Sequence, residues 1–539
     1  MANQFDSIFV KRPRRNKFNL SFQNKLTCKF GQLIPFLVQD VIPGDRFKVG
    51  SSHVIRLQPT VTPVMHNVDI YKHYFFVPNR LLWKDWEAFI TGGVSGNANP
   101  TYPALSPAEI SKAIGNKYLQ PGSLLDYLGF PTAKSNSRFN LNNPTPWDML
   151  PALAYTLIWQ EYYRDQNLMD EVLEFPTDSS YGKVGWHKFL TIRNRCWKKD
   201  EFTSALPWPQ RAGQAVSLPV NVSSEISFNE GSPAASLARR VALQNPVDDG
   251  NVTLDGSGNP PAESKFVCDS QGTPIVVDSS ANYQVKSTAS MANITELRRA
   301  FKVQEWLEAM ATGGSRYVEQ IMRIFGVRTS DGRLQRPLYL GGTSTPLVME
   351  ATPQTSQTVT QGANPSVQGN LAGNGASVSS EFIFKNRFEE HGYIIGIMSI
   401  VPRAAYYNGI PRKFQRLDRF DYYWPQFAHI GEQAILKKQV YYQGESADND
   451  VFGYEPRYAE YRFNNDEIHG EFRDTLKMWH LGRNLSPSVQ LNRSFVEVSE
   501  NVADGVMAVN SYNAAPFLCL INNNILASRL ISKYGTSHL

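Results

Sequence analysis

Two ten-residue segments set the terms on which this chain can fold. Val68 to Val77 (VDIYKHYFFV) and Gly392 to Val401 (GYIIGIMSIV) are rich in β-branched and aromatic residues at odd and even positions alike, and Pro78 cuts off the first. A strand with one wet face alternates apolar and polar residues. A strand apolar on both faces needs a packed layer on either side of it. Arg46 to Val49 alternates cleanly, and Pro516 to Ala527 supplies a late strand. Strands near both ends of the chain, with long stretches inserted between them, favour an antiparallel sandwich over alternating βαβ units.

The 539 residues exceed a usual single domain, and 37 glycines and 33 prolines cut them into short segments. Helical spacing is clear in three places within the insertions. Leu150, Leu153, Ala154, Leu157, Ile158 and Tyr162 follow the 3.6-residue period, with Pro151 in the first turn. Leu297, Ala300, Phe301, Leu307 and Met310 follow it after Thr295 as N-cap, and Gly313-Gly314 stops them. Ser315 opens a shorter third pattern through Tyr317, Val318, Ile321, Met322 and Phe325, ended by Gly326. Two stretches read as loops: 213–290, rich in Ser, Asn, Gly, Pro and Asp with small β-prone patches such as Thr273 to Val277, and 350–380, nearly free of charge and bulk. The division expected is an arm over 1–25, a first core segment over 26–212, an inserted subdomain over 213–290 and a second core segment over 291–539.

Charge is unevenly placed. Residues 1–30 hold seven basic residues and one acid, which leaves 47 basic and 48 acidic residues in the rest. A neutral body with a cationic arm suits a protein that touches polyanion through its terminus. Lys11, Arg12, Arg14, Arg15 and Lys17 are the candidate nucleic-acid contacts, acting on phosphate through counterion release, with Phe5, Phe9, Phe18 and Phe22 able to stack on unpaired bases. The competing reading is a solvated tail whose phenylalanines pack on a neighbouring subunit.

No Walker A, GxGxxG, GxSxG or HExxH pattern occurs. His66 and His73 lack the tight Cys/His clustering of a structural metal site. Asp466-Glu467 with His469, and Glu389-Glu390-His391, read as solvated loop charges, and no catalytic residue, metal or cofactor is expected. Cys28, Cys196, Cys268 and Cys519 are scattered and read as reduced thiols of a protein folding in cytoplasm. The opening MANQFDSIFV lacks signal-peptide order, and the longest apolar run, Tyr393 to Val401, is too short for membrane insertion. The aromatic groups Trp159/Tyr162/Tyr163, Trp197/Phe202/Trp208, Phe420/Tyr422/Tyr423/Trp424 and Trp479 read as core or subunit-interface packing rather than a sugar platform.

Tyr71 to Trp83 (YKHYFFVPNRLLW), Ala154 to Leu168 (AYTLIWQEYYRDQNL), Arg333 to Gly342 (RLQRPLYLGG), Glu390 to Gly396 (EHGYIIG) and Asp418 to Gln433 (DRFDYYWPQFAHIGEQ) closely resemble the major capsid proteins of the Microviridae, especially the gokushovirus-like branch. Glu296 to Phe301, Gly313 to Tyr317 and Phe452 to Tyr454 match in the same order, so the likeness runs from about residue 30 to about 480. Segments 213–290 and 350–380 match poorly. The resemblance implies a mainly β fold, an eight-stranded antiparallel jelly-roll sandwich with large helix- and loop-containing insertions. It implies a structural protein, not an enzyme, that forms a T=1 icosahedral homo-oligomeric shell around circular single-stranded DNA. It also implies a small basic internal DNA-binding protein and other phage structural proteins as partners, and assembly in the host bacterial cytoplasm. Residues 213–290 would form a protrusion at the threefold axis, a candidate for meeting a host surface receptor. The rivals are a surface carbohydrate-binding β-sandwich and a jelly-roll glycoside hydrolase with two inward carboxylates.

Overall fold

The computed structural model describes residues 15–93, 97–133, 144–172, 183–210, 224–225, 286–287, 294–312, 334–355, 368–508 and 514–534. The chain forms two units, one of residues 1–213 and 307–539 and one of residues 214–306. In the first unit, nine strands share one curled antiparallel sheet. They are β1 (Asn16–Asn19), β2 (Phe22–Cys28), β3 (Ile34–Val41), β4 (Arg46–Thr60), β5 (Val68–Pro78), β6 (Leu338–Pro353), β7 (Leu371–Arg387), β8 (Gly392–Pro402) and β9 (Phe517–Arg529). Neighbours run β1–β9–β4–β7–β6–β5–β8–β3, and β2 also lies on β9.

β1 pairs with Leu526 to Arg529 and β2 with Phe517 to Asn523, so the two fill one strand position in succession. β6 changes partner along its length, with Leu338 to Leu347 against β5 and Val348 to Pro353 against β7. The sheet thereby folds into two four-stranded layers joined through β6. β1/β2, β9, β4 and β7 make the first layer, and β6, β5, β8 and β3 make the second. That gives the eight positions of the expected jelly roll.

The layers close on Phe47, Val49 and Ile55 of β4, Phe517, Ile521 and Ile525 of β9, and Ile70, Tyr74 and Phe76 of β5. Each such side chain contributes about 1.5–3 kcal/mol when taken out of water. Lys72 sits among them, fully buried, and donates from Nζ to Ser51 Oγ across the layers at 3.3 Å. Burial lowers its pKa to about 8. The alternate residues of the second layer, Phe75, Val77, Ile395 and Ile397, enter a second core with Leu150, Leu153 and Ile158. β5 and β8 are therefore covered on both faces, as their composition requires.

That covering layer is built from the first insertion. α1 (Asn79–Leu82) follows β5 directly, and α2 (Leu124–Leu128) starts where Ser123 accepts a hydrogen bond from the Asp126 amide. α3 (Leu150–Ile158) carries Pro151 in its first turn and continues as a wider turn over Trp159–Tyr163, so the helical spacing through Tyr162 is realised. Tyr155 ties the layers together. Its hydroxyl donates to the Leu33 carbonyl at 2.9 Å and accepts from the Arg193 amide at 3.0 Å, with no exposure to solvent.

Three expectations change. The helix expected after Thr295 is α4 (Ile294–Thr312), which begins one residue earlier, so Thr295 lies inside it. Segment 350–380 is strand over Glu350 to Pro353 and Leu371 to Ser380, where β6 and β7 pair. Its small residues suggested a loop, but they are what this crowded ladder needs: a Cβ on Gly373 would sit 2.3 Å from Thr60 Oγ1. The arm ends sooner than residue 25, because Asn16–Asn19 and Phe22–Cys28 are already paired with β9. Segment 315–325 lies outside the described residues, as does most of 213–290. Of the latter, Ser224–Glu225 pairs antiparallel with Lys286–Ser287.

Candidate nucleic-acid interface

β1, β2, β4 and β9 contain no aspartate or glutamate. With β7 they form the first layer, and alternation sends every second side chain away from the sandwich core. The register lines these outward residues up in rows. Lys17, Ser528, Arg46 and Arg387 form one row, followed by Asn19, Leu526, Lys48 and Lys385. Further along come Lys25, Leu520, Val54 and Val378, then Thr27, Leu518, Arg56 and Ala376. Amides and hydroxyls from Gln23, Asn522, Ser52 and Ser380 fill the row between.

Seven cations (Lys17, Lys25, Arg46, Lys48, Arg56, Lys385 and Arg387) share this face, and none of its paired positions carries a carboxylate. Neighbouring strands stand about 4.8 Å apart, so Lys17, Arg46, Lys48, Lys385 and Arg387 sum into one positive field at one end of the layer, with Lys25 and Arg56 a separate pair further along the strands. Apolar groups lie between them. Val378 is 73% exposed and Phe382 is 60% exposed. The Lys48 ammonium lies 5.8 Å from the centre of the Phe382 ring. Cations beside exposed rings and amides can hold a phosphate backbone and stack a base without reading sequence.

Of the candidate arm residues, Lys11, Arg12 and Arg14 lie outside the described residues. Arg15 serves as an anchor: its Nη1 donates to the carbonyls of Gly44 at 2.6 Å and Ser528 at 2.8 Å. Lys17 projects from β1 into the first row of the cationic face. Phe18 points inward while Phe22 is exposed. Of the other six cations, Lys25 enters the sequence reading only within the charge excess of residues 1–30, and the five on β4 and β7 escape it because whole-body charge counting cancels them against acids elsewhere. The available signal was local: fifteen residues of β4 and thirteen of β9 without a single carboxylate.

The remaining candidates are engaged with protein groups. The His66 ring contacts the Arg403 carbonyl at 2.8 Å, and His73 Nδ1 lies 2.8 Å from the Tyr163 hydroxyl. Burial lowers the His73 pKa to about 4, so that ring is neutral. Glu390 pairs with Arg80 at 3.0 Å, and Glu467 with Lys413 at 3.0 Å. Trp159, Trp197 and Phe202 are core residues, whereas Phe420, Tyr422, Tyr423 and Trp424 are about half exposed.

Glu455, Glu201 and Glu460 form a largely buried carboxylate cluster. Glu455 accepts from Gln433 Nε2 at 2.7 Å, Glu201 accepts from Asn465 Nδ2 at 2.8 Å, and Arg416 lies 3.4 Å from Glu460. Each acid is thus held by a neighbouring side chain, with Arg412 within 3.8 Å of Glu455. Burial, reinforced by Glu201, pushes Glu455 up to about 8, and burial with Glu460 pushes Glu201 up to about 7. A carboxyl whose folded pKa is raised binds its proton more tightly in the fold. Its contribution to stability is present at acid pH and declines as pH climbs from about 4.5 toward 8. Glu455→Gln should remove part of that slope and raise stability at pH 8 by on the order of 1–2 kcal/mol, with little effect at pH 5. Thermal melts at the two pH values check this, and parallel wild-type and variant curves would contradict it.

The profile of the phage capsid protein (F protein) family matches residues 7–539, well past the point where the sequence likeness thins. Capsid protein VP1 of Chlamydia phage 1 is 34% identical, covering all of this chain and 98% of the relative. Capsid protein VP1 of Bdellovibrio phage phiMH2K is 36% identical over 92% of this chain and 90% of the relative. Capsid protein VP1 of Spiroplasma virus 4 is 28% identical over 97% and 95%.

Proposed function

The chain belongs to the phage capsid protein (F protein) family as a structural major capsid protein of the Microviridae, and from that premise we propose how its faces are used: copies close into a T=1 icosahedral shell with the cationic face of the first layer turned toward a circular single-stranded DNA genome. The observation that carries this reading is the carboxylate-free face with its seven cations. A packaged genome is a dense polyanion, and a wall that lowers its self-repulsion without reading bases must be positive and free of acids. The arm residues Lys11, Arg12 and Arg14 would extend that wall, together with a small basic internal protein.

The test is a quadruple variant, Lys48→Gln, Arg56→Gln, Lys385→Gln and Arg387→Gln. All four side chains are exposed, so the fold should survive. For single strands, each lost phosphate contact reduces the slope of log affinity against log salt by about 0.7, so the variant's slope should shrink by roughly 3. Packaged DNA per particle should fall with it. An unchanged slope and genome content would assign this face to another partner.

Subunit contacts are the second element of the proposal. Leu417, Phe420, Tyr422, Tyr423, Trp424 and Ile430 form an exposed aromatic and aliphatic block with Arg416 and Arg419 beside it. Aromatic residues and arginine are enriched in interface centres, where burying them contributes most. We assign this block to contact between copies in the shell, assembled in the host cytoplasm. The third element is the insertion, proposed as the host-attachment protrusion. The pairing of Ser224–Glu225 with Lys286–Ser287 brings its ends together, so removal of residues 226–285 should leave shells intact and abolish adsorption. Loss of the shell itself would show that the segment is structural.

A further inference from the structure

Two cysteines 491 residues apart in sequence meet in the fold. Cys28 ends β2 and Cys519 lies on β9, where the register sets Cys28 opposite Phe517 and Leu26 opposite Cys519. The two thiols are thus diagonal neighbours on paired strands, with their Sγ atoms 3.8 Å apart. Cys28 is 2% exposed and Cys519 is 5% exposed, yet both line a groove of about 1450 Å³ between the first layer and the segment around α2. Lys25, Lys29, Arg56 and Lys117 line the same groove against Asp126 and Glu500, the latter paired with Lys29 at 3.2 Å, so the groove keeps a net positive lining that favours small anions.

We propose that Cys28 and Cys519 are a reversible disulfide site that staples the first strands of the chain to its last, with an anionic low-molecular-weight disulfide such as oxidised glutathione as the oxidant. One cysteine thiolate attacks a glutathione sulfur, forming a mixed disulfide and expelling one glutathione thiolate, which takes up a proton. The second cysteine, deprotonated in turn, attacks the protein-side sulfur of that bond and expels the other glutathione. The two protein thiols together lose two protons and two electrons, and one glutathione disulfide becomes two glutathione thiols. In a reducing compartment the pair stays open, and outside it the pair closes.

The geometry also sets how firm the staple is. The sulfurs must approach from 3.8 Å to about 2.05 Å, and diagonal cross-strand partners, about 7–8 Å apart, stand beyond the usual Cα separation of a disulfide, so closure requires the backbone to move. β2 gives way most easily, because in the sheet it is paired with β9 alone. A bond closed against such resistance is readily reduced again. Contact with Cys519 and burial also hold the Cys28 thiol protonated well above the ordinary thiol range, so closure should be slow at neutral pH and faster as pH rises.

The experiment treats the full-length assembled protein with oxidised glutathione. Free thiols are then alkylated under denaturing conditions, and unreduced peptides are mapped by mass spectrometry. The expected result is one peptide pair joined through Cys28 and Cys519, lost on adding dithiothreitol, with the other two of the four cysteines alkylated. Oxidised wild type and Cys196→Ser should melt a few degrees higher than their reduced forms, and Cys28→Ser and Cys519→Ser should show no such gain. Alkylation of all four cysteines, a lone glutathione adduct that never closes, or a link through Cys196 or Cys268 would each overturn the proposal. None of these readouts depends on which face meets DNA.

Discussion

Subunits carrying Leu417→Asp together with Trp424→Ala will fold and fail to close into shells. Leu417 is 95% exposed in the single chain, so an aspartate there costs the fold almost nothing. Trp424 is half exposed, and its side chain is held by one hydrogen bond from Nε1 to the Arg419 carbonyl at 2.9 Å. Truncating a central aromatic at an interface removes about 2 kcal/mol or more per contact, and a buried unpaired carboxylate adds further cost. A closed shell repeats each contact at every subunit, so a penalty small for one pair multiplies across the particle. Sedimentation velocity should show only small species, while circular dichroism matches wild type. Normal shell yields from the double variant would dismiss this block as the contact surface.

The second large effect is inside the subunit. Tyr155→Phe removes one oxygen atom and strands the buried Leu33 carbonyl and the part-buried Arg193 amide. Each stranded group costs about 1–3 kcal/mol, so the total is about 2–6 kcal/mol. Domains typically have only about 5–15 kcal/mol of stability, so a marked drop in the denaturant midpoint is expected. Because Tyr155 joins α3 to the chain just before β3, the loss should loosen the helical layer from the second sheet. Hydrogen exchange should therefore rise first in α3. A midpoint within experimental scatter of wild type would show that water replaces the hydroxyl at no cost.

Much of this architecture could be read from the residues alone. The two-faced composition of Val68 to Val77 demanded a layer on each side, and the structure supplies the sandwich core on one and α3 on the other. Pro151 and the spacing through Tyr162 marked α3 correctly. The failures share one cause, which is that partners distant in sequence change what a residue needs. Gly373 and Gly375 look like loop glycines until Thr60 and Met349 are found pressed against them. Lys48, Arg56 and Lys385 look like ordinary solvated charges until the register lines them up on one face. Cys28 and Cys519 have no meaningful spacing, and only the closing strand brings their sulfurs together.

The position of β9 also sets a timetable for synthesis. It lies between β1/β2 and β4, so the first two strands have no ladder partner until the last strand has been made. At about 5–20 residues per second, the nascent chain carries those orphan edges for roughly 25–100 s. The first layer can be completed only after Phe517–Arg529 has emerged from the ribosome. Neighbouring nascent chains on one message are thus kept from presenting a finished first layer to each other until β9 has emerged.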